Sequence, residues 1–246
     1  MILNSRKLWR ESNSATLKSW IENHAGTRPC PMCGDVGILS KNGNTFQCVC
    51  AYLQEEAALY ARFSSMTPAL ASLSIAHLRQ NGDNRQWRSV LDAARALAWL
   101  AKNFDSTQWV LLSGARGCGK THIMAAAYNR IPHSAIYTSA IYLKDRVFEA
   151  MGEETLNEYK RVLVDVPVLM LDDLGAENGS DFIKATISDV IMERYAHGRS
   201  RPTVISMNNL KVIEQPAYER VRDRLYDVDL IRYFPITAPS YRTRTN

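Results

Sequence analysis

The order of hydrophobic and polar positions predicts an α/β architecture for most of the chain. From Trp87 onward, short apolar runs alternate with helical patterns. The predicted strands are Trp109–Leu112, Ala135–Thr138, Val168–Leu171 and Thr203–Met207, and the predicted helices are Trp87–Asn103, Thr121–Arg130, Tyr142–Met151, Glu154–Val164 and Asp181–Ala196. Strands that alternate with helices indicate a parallel sheet with helices on both faces.

The N-terminal part of the chain has a different pattern. A helical pattern covers residues 5 to about 24, and a second one covers Gln54–Phe63. Between them lie four cysteines and several glycines that favour tight turns. The small and polar stretch Ser64–Pro68 follows. We therefore predict an N-terminal module of residues 1–64 and a main domain of residues 65–246.

Composition narrows the class of protein only slightly. Of the 246 residues, 46% are hydrophobic and 22% are charged, which is typical of soluble globular proteins. The formal net charge of +5 permits nucleic acid or acidic proteins as partners without requiring them. The N-terminus is too polar for a signal peptide, and no apolar run approaches the roughly 20 residues of a membrane span. We expect a cytoplasmic protein.

The segment after the first predicted strand has the pattern of a phosphate-binding loop. Gly114-Ala115-Arg116-Gly117-Cys118-Gly119-Lys120-Thr121 fits G-x-x-x-x-G-K-[ST] and lies between a strand and a helix. The glycines let backbone N–H groups point at phosphate oxygens, and the helix N-terminus favours anions. We expect these eight residues to bind ATP, with Lys120 on the β- and γ-phosphates and Thr121 on Mg²⁺. Cys118 is a spacer or, alternatively, a redox switch.

Polar residues also follow two later strands. Asp172 and Asp173 end the apolar run Val168–Leu171, and Asn208 and Asn209 follow Thr203–Met207. Ligands of open parallel sheets bind at this carboxyl edge. We expect Asp172 to hold Mg²⁺ through water and Asp173 to orient and deprotonate the attacking water. One asparagine would sense the γ-phosphate, and the residues alone leave open which of the two does so.

The four N-terminal cysteines have metal-ligand spacing. Cys30, Cys33, Cys48 and Cys50 give C-x2-C-x14-C-x-C, which predicts a tetrahedral structural Zn²⁺ site. So short a segment has little core, so that the metal would supply folding free energy. His24 is an alternative ligand to one of the four. Free buried cysteines or a redox pair are the other interpretations.

Together these motifs resemble the AAA+ ATPases, and more narrowly the DnaC and IstB type. The helix start Gly119–Ala127 resembles G-K-[TN]-H-L-A-A-A, and Glu219–Leu225 resembles E-R-V-x-D-R-[ML]. The ending Ser240–Arg244 is similar to S-Y-R-S-R, and Asn209-Leu210 matches the sensor 1 position. The resemblance covers roughly residues 70 to 246.

The resemblance implies further roles for single residues. Arg224 takes the position of an arginine finger that acts on a neighbouring subunit, with Arg220 as the alternative, and Arg242 takes the sensor 2 position. It implies self-association into a ring or spiral and a C-terminal lid that is small or missing. Asp173 replaces the glutamate common in AAA+ proteins, so that we expect slow, switch-like hydrolysis.

The resemblance also implies a function. We expect a DnaC-like loader that assembles on single-stranded DNA and delivers a hexameric replicative helicase, with an origin in a mobile element. The alternatives are an IstB-like transposition helper that acts on double-stranded target DNA with a transposase, and a non-hydrolysing ATP-binding zinc adaptor. The N-terminal module would bind the partner protein or DNA. Single-stranded DNA would contact Lys144 and Arg146 through phosphates, and Tyr142 or Phe148 through a base.

Overall fold

A computed structural model describes residues 29–31, 33–41, 44–104, 107–131, 134–177 and 181–243. The predicted helix at residues 5–24 and the alternative ligand His24 lie outside these residues. The described chain divides into two compact units, one up to Ala58 and one from Leu59 onward. The division therefore falls before the boundary that we predicted after residue 64, and it lies within a helix.

The first unit is built on a β-hairpin. Strands β1 (Ile38–Lys41) and β2 (Asn44–Gln47) pair antiparallel, and helix α1 (Val49–Phe63) begins two residues after β2. Gly37 has a φ of 78° and accepts a hydrogen bond from the Cys48 N–H at 2.8 Å, which closes the base of the hairpin. The alternation of apolar and polar residues is too short here for the sequence to predict these strands.

The second unit contains a five-stranded parallel sheet of order β4-β5-β6-β3-β7. The predicted α/β fold is confirmed. The strands are β3 (Trp109–Gly114), β4 (Ala135–Ser139), β5 (Val168–Leu174), β6 (Thr203–Met207) and β7 (Ile231–Ile236). The sequence pattern missed β7 because this edge strand buries only its first and last residues.

Helices cover both faces of this sheet. They are α2 (Pro68–Ala71), α3 (Asn84–Leu100), α4 (Lys120–Tyr128), α5 (Ala140–Gly152), α6 (Leu156–Asp165), α7 (Asp181–Ala196) and α8 (Glu219–Leu225). Alternate strand residues enter two separate cores: Trp109 and Leu111 pack on one face, and Val110 and Leu112 pack on the other. Burial on both faces explains why the strands read as continuous apolar runs.

A buried arginine fixes the starting points of the strands that carry the site. Arg194 in α7 has no exposed surface, and its guanidinium donates to the carbonyls of Leu163, Val166 and Pro202 at 2.7–3.0 Å. These carbonyls lie just before β5 and β6, so that one side chain ties the two strand entries together. Burial lowers the pKa of Arg194 to about 9, which leaves it charged at neutral pH.

Candidate nucleotide and zinc sites

The phosphate-binding loop joins β3 to α4 and requires its glycines. Gly117 and Gly119 have φ values of 81° and 107°, and Gly119 is the N-cap residue of α4. A Cβ on Gly114 would lie 2.4 Å from the Ile236 carbonyl oxygen, and one on Gly117 would lie 2.3 Å from the Ser240 hydroxyl. The loop therefore leaves bare backbone at a helix N-terminus, as a triphosphate requires.

Lys120 lies at the centre of this loop. The side chain is buried, and its ammonium group donates to the carbonyls of Gly114 at 2.7 Å and Ala115 at 3.2 Å. It also donates at 3.2 Å to the side-chain oxygen of Asn208, which directly follows the neighbouring strand β6. Cys118 is buried, and burial raises the pKa of its thiol, so that it is neutral near pH 7. Ala115 and Arg116 are exposed.

Asp172 receives hydroxyl donors on both carboxylate oxygens. Its Oδ2 accepts from Thr121 Oγ1 at 2.8 Å and from the Tyr137 hydroxyl at 2.6 Å, and its Oδ1 accepts from Ser206 Oγ. The structure thus joins the two residues that we predicted for Mg²⁺. Sequence reasoning missed Tyr137 and Ser206, because each looks like an ordinary strand residue. Burial and the charge of Asp172 raise the pKa of Tyr137, so that its hydroxyl stays protonated.

An irregularity in β5 changes the orientation of Asp173. The pairing with β6 shifts register between Leu171 and Leu174, and Asp173 has a φ of 57°. Its N–H donates to Ser206 Oγ at 2.9 Å, and its carboxylate accepts from Asn208 Nδ2 at 2.9 Å. Two consecutive carboxylates therefore reach the same edge of the sheet, whereas a regular strand would send them to opposite faces.

The structure brings Asn208 to the site, and not the predicted Asn209. Asn208 bridges Lys120 and Asp173 through its two amide atoms. Asn209 is exposed and caps the short 3₁₀ helix Leu210–Val212, where its side chain accepts from the Lys211 N–H at 3.0 Å. The physical reason is that the chain turns immediately after β6. The capping preference of asparagine is the sequence signal that could have separated the two.

The C-terminal segment lies against the phosphate-binding loop. The Tyr241 N–H donates to the Gly117 carbonyl at 2.9 Å, and the Tyr241 hydroxyl donates to the Arg79 carbonyl. An open cavity of about 340 Å³ is lined by the loop, by Tyr241 and by the exposed Arg242. Arg242 therefore lies beside the loop of its own chain. Bare backbone, Lys120 and Thr121 line this cavity, and Thr121 contacts the carboxylate of Asp172, so that the site fits ATP with Mg²⁺.

Arg224 and Arg220 lie elsewhere. Both are exposed on α8, which leads to the beginning of β7, whereas the phosphate-binding loop follows the end of the neighbouring strand β3. The Arg224 guanidinium lies 5.9 Å from the ring centroid of Tyr195, and the Tyr195 hydroxyl donates to Asp227. Arg220 pairs with Asp189 at 3.6 Å. The structure does not bring either arginine to the loop of its own chain.

Helix α5 carries the residues that we expect to contact DNA. Lys144 pairs with Asp145 at 3.3 Å, and Arg146 pairs with Glu149. Phe148 is 52% exposed, together with Ile141 and Met151 on the same helix. The helix therefore presents apolar side chains and neutralised basic residues to solvent.

In the first unit, the four cysteine sulfurs converge. All four lie within 4.8 Å of one another, with Cys30 and Cys48 at 3.8 Å and Cys33 and Cys50 at 3.3 Å. Sulfurs around a tetrahedral zinc ion are separated by about 3.8 Å, which follows from Zn–S bonds of about 2.3 Å. Burial acts to raise the pKa of Cys33, but hydrogen bonds from the Gly37 N–H and the other thiols lower it to about 7. The donor set fits Zn²⁺.

Comparison with known proteins places the second unit in a family. The model of the bacterial DnaA ATPase domain matches residues 84–215, which is just over half of the chain. The chain belongs to this family. The matched residues run from α3 to the 3₁₀ helix after β6, and they include the phosphate-binding loop, both aspartates and both asparagines.

One curated relative is the replicative helicase loader DnaI of Bacillus subtilis strain 168. It is 29% identical over 113 residues, which are 44% of this chain and 36% of the relative. The match therefore spans about a third of that protein. The resemblance to AAA+ ATPases of the DnaC and IstB type is confirmed, and with it the prediction of an ATPase domain.

Two solved structures share the fold. A crystal structure of the DnaC helicase loader aligns with a TM-score of 0.56 and 21% identity, over 69% of this chain and 99% of that one. The replication initiator DnaA bound to AMPPCP and single-stranded DNA aligns with a TM-score of 0.52 and 18% identity, over 70% of this chain and 51% of that one.

Within the described part of the chain, no helix has the length and apolar character of a bilayer-spanning segment.

Proposed function

We propose that this chain is an ATP-dependent helicase loader, which assembles on single-stranded DNA and delivers a hexameric replicative helicase. The observation that supports this most directly is that Thr121 contacts Asp172, and Asn208 contacts Asp173, at one edge of the sheet. These contacts occur in a chain that is related to the loader DnaI. The loader activity of that relative belongs to a protein about a third of which is matched, so that its extension to this chain is our proposal.

The proposed site divides the work of ATP hydrolysis among its residues. Gly114–Thr121 would bind the triphosphate through backbone N–H groups, and Lys120 would bind the β- and γ-phosphates. Thr121 and Asp172 would hold Mg²⁺, which neutralises charge on the phosphate oxygens. Asp173 would accept the proton of the attacking water. Asn208 contacts both Asp173 and Lys120, so that we assign it, and not Asn209, to orient the water.

The two remaining arginines would act from different chains. Arg242 lies beside the loop of its own chain and would bind phosphate there. Arg224 lies on α8, away from that loop, and would reach the γ-phosphate of a neighbouring copy as an arginine finger. This division requires head-to-tail assembly, as in a ring or spiral.

The four-cysteine unit would hold structural zinc and bind the helicase. The convergence of Cys30, Cys33, Cys48 and Cys50 supports the metal, and a folded module outside the ATPase unit supports a docking role. Single-stranded DNA would contact α5, where Phe148 is exposed for stacking. The DnaA structure with single-stranded DNA belongs to the same fold, which supports this partner by analogy.

The proposal is tested by mixing the full chain with the host's replicative helicase in the presence of ATP and Zn²⁺. Size-exclusion chromatography with light scattering should show a complex, and D173N should keep ATP bound and stabilise that complex. D172N would be the control that weakens magnesium binding.

If no complex forms with any nucleotide, the loader function is wrong. Binding to a transposase and double-stranded DNA would then support the transposition helper. Absence of ATP turnover in both the wild-type chain and D173N would support the non-hydrolysing zinc adaptor.

A further inference from the structure

The hydroxyl of Tyr137 makes a short contact to Asp172 that the sequence did not predict. Tyr137 pairs with Met170 in the β4–β5 ladder, and Asp172 is two residues further along the same face. Tyr137 and Asp172 are therefore diagonal neighbours on adjacent strands, and an aromatic side chain is long enough to reach such a neighbour. The Tyr137 hydroxyl accordingly donates to Asp172 Oδ2 at 2.6 Å. Tyr137 is 1% exposed and Asp172 is 4% exposed, so that bulk water does not replace this contact.

The same carboxylate oxygen also accepts from Thr121, and the two donors differ in what they can do. Thr121 is exposed and lines the phosphate-binding cavity, and its Oγ1 lies 2.8 Å from Asp172 Oδ2. As a proposed ligand of Mg²⁺, Thr121 must direct its oxygen to the metal. Tyr137 is 1% exposed and is not among the residues that line this cavity, so that its hydroxyl is not available as a ligand. Its contact is therefore the one that can persist while the metal is bound.

The ring of Tyr137 is held in place by its surroundings. Its backbone N–H donates to Ser64 Oγ at 3.2 Å, and its carbonyl accepts from the Ser65 N–H at 2.7 Å. The ring meets that of Tyr128 edge to face, with centroids 6.1 Å apart. A donor fixed in this way sets the plane of the carboxylate that it contacts.

We propose that Tyr137 is a positioning residue that orients Asp172 toward magnesium-bound water. The inference rests on the proposed nucleotide site, and it names a residue that lies outside the motifs predicted for that site. Groups that orient the ligands of a metal commonly change metal affinity by about 10- to 100-fold when they are removed. The role of Tyr137 is therefore measurable without any turnover of ATP.

The experiment measures binding of a fluorescent, non-hydrolysable ATP analogue as MgCl₂ is added to the full chain. In Y137F, the affinity for the analogue without metal should stay within about twofold of wild type. The Mg²⁺ concentration that gives half of the metal-dependent increase in this affinity should rise about 10-fold. Y128F is the matched control, because Tyr128 loses a hydroxyl whose contact among the described residues is Ser64, at 3.3 Å, and its ring stays against Tyr137. It should titrate like wild type.

Two further replacements at this position keep the test decisive even if Y137F unfolds. Replacement of Tyr137 by p-aminophenylalanine retains a donor and should restore the wild-type Mg²⁺ response, whereas p-methylphenylalanine fills the space without a donor and should not. Equal responses from these two variants would overturn the proposal. A wild-type chain whose analogue binding does not depend on Mg²⁺ would instead contradict the proposed nucleotide site.

Discussion

The two units hold their functional side chains in different ways. In the ATPase unit, Lys120, Asp172 and Asn208 extend from strands and a helix whose apolar residues fill cores on both faces of a five-stranded sheet. In the cysteine unit, two of the four thiols lie in the turn before a two-stranded hairpin, and the other two lie between the hairpin and α1 and in the first turn of α1. Two of those thiols, Cys30 and Cys48, are themselves among the buried side chains of that unit.

This difference shows where each unit obtains the free energy that keeps its site in shape. A sheet with helices on both sides buries enough apolar surface to hold a catalytic edge in place before any ligand binds. A segment as short as the cysteine unit buries too little, so that a metal ion has to supply the difference. We expect ligand removal to affect the two units unequally.

The largest expected effect is the loss of the cysteine unit on removal of zinc. Structural zinc contributes roughly 10 kcal/mol or more to the folding of small domains. C48S should therefore abolish stoichiometric zinc and make residues 29–58 sensitive to limited proteolysis. Binding of an ATP analogue by the same full-length chain should stay within about twofold of wild type. Zinc content and proteolysis are measured together on one preparation.

C118S is the matched control for that experiment. Cys118 is as buried as Cys48 but lies outside the cluster, so that the variant should retain its zinc. Retention of one zinc ion and an unchanged digestion pattern in C48S would contradict the structural zinc site. Loss of ATP binding in C48S would contradict the expectation that the ATPase unit keeps its site in shape without zinc.

The next effect tests whether the ATPase unit is complete within one chain. R224A should lower kcat by about 1,000-fold or more at unchanged ATP affinity, because an arginine finger stabilises charge that develops only in the transition state. Mixing R224A with K120A should recover part of the activity, since one interface then combines an intact loop with an intact finger. Steady-state ATPase assays over a range of mixing ratios measure this.

R220A provides the control for the finger. Arg220 lies on the same helix and is likewise exposed, but it pairs with Asp189. We expect its rate to stay within about threefold of wild type, as for most exposed ion pairs. Failure of the R224A and K120A mixture to recover activity would contradict action across subunits.

The smallest effect separates the two adjacent asparagines. N208A should lower kcat by about 100-fold, the order of magnitude for removal of one placed donor at an active site. N209A should leave kcat unchanged and cost about 1 kcal/mol of unfolding free energy, because it removes a helix cap. Kinetics and thermal unfolding of both variants decide this. A slow N209A with a normal N208A would reverse the assignment.

The hydrophobic pattern of the sequence predicted those helices and strands that are long or fully buried. Thr203–Met207 and Asp181–Ala196 have the predicted bounds, because a fully buried strand forms one continuous apolar run and the helix is long. β7 and the β1–β2 hairpin were missed, because an edge strand with exposed residues and a four-residue strand have no clear hydrophobic pattern. For the same reason, the unit boundary within α1 has no counterpart in composition.

The sequence by itself determined which chemical groups are present and which edge of the sheet would hold them. The spacing of Gly114–Thr121, the carboxylates after β5 and the paired cysteines follow from local rules about turns, strand ends and metal chelation. Only the tertiary structure decided how these groups meet. It placed Asn208, and not Asn209, in contact with Lys120 and Asp173, brought Tyr137 and Ser206 to Asp172, and placed Arg242 beside the loop but not Arg224. Such contacts join residues that are distant in the chain, and their geometry depends on strand order and register, which no local pattern encodes.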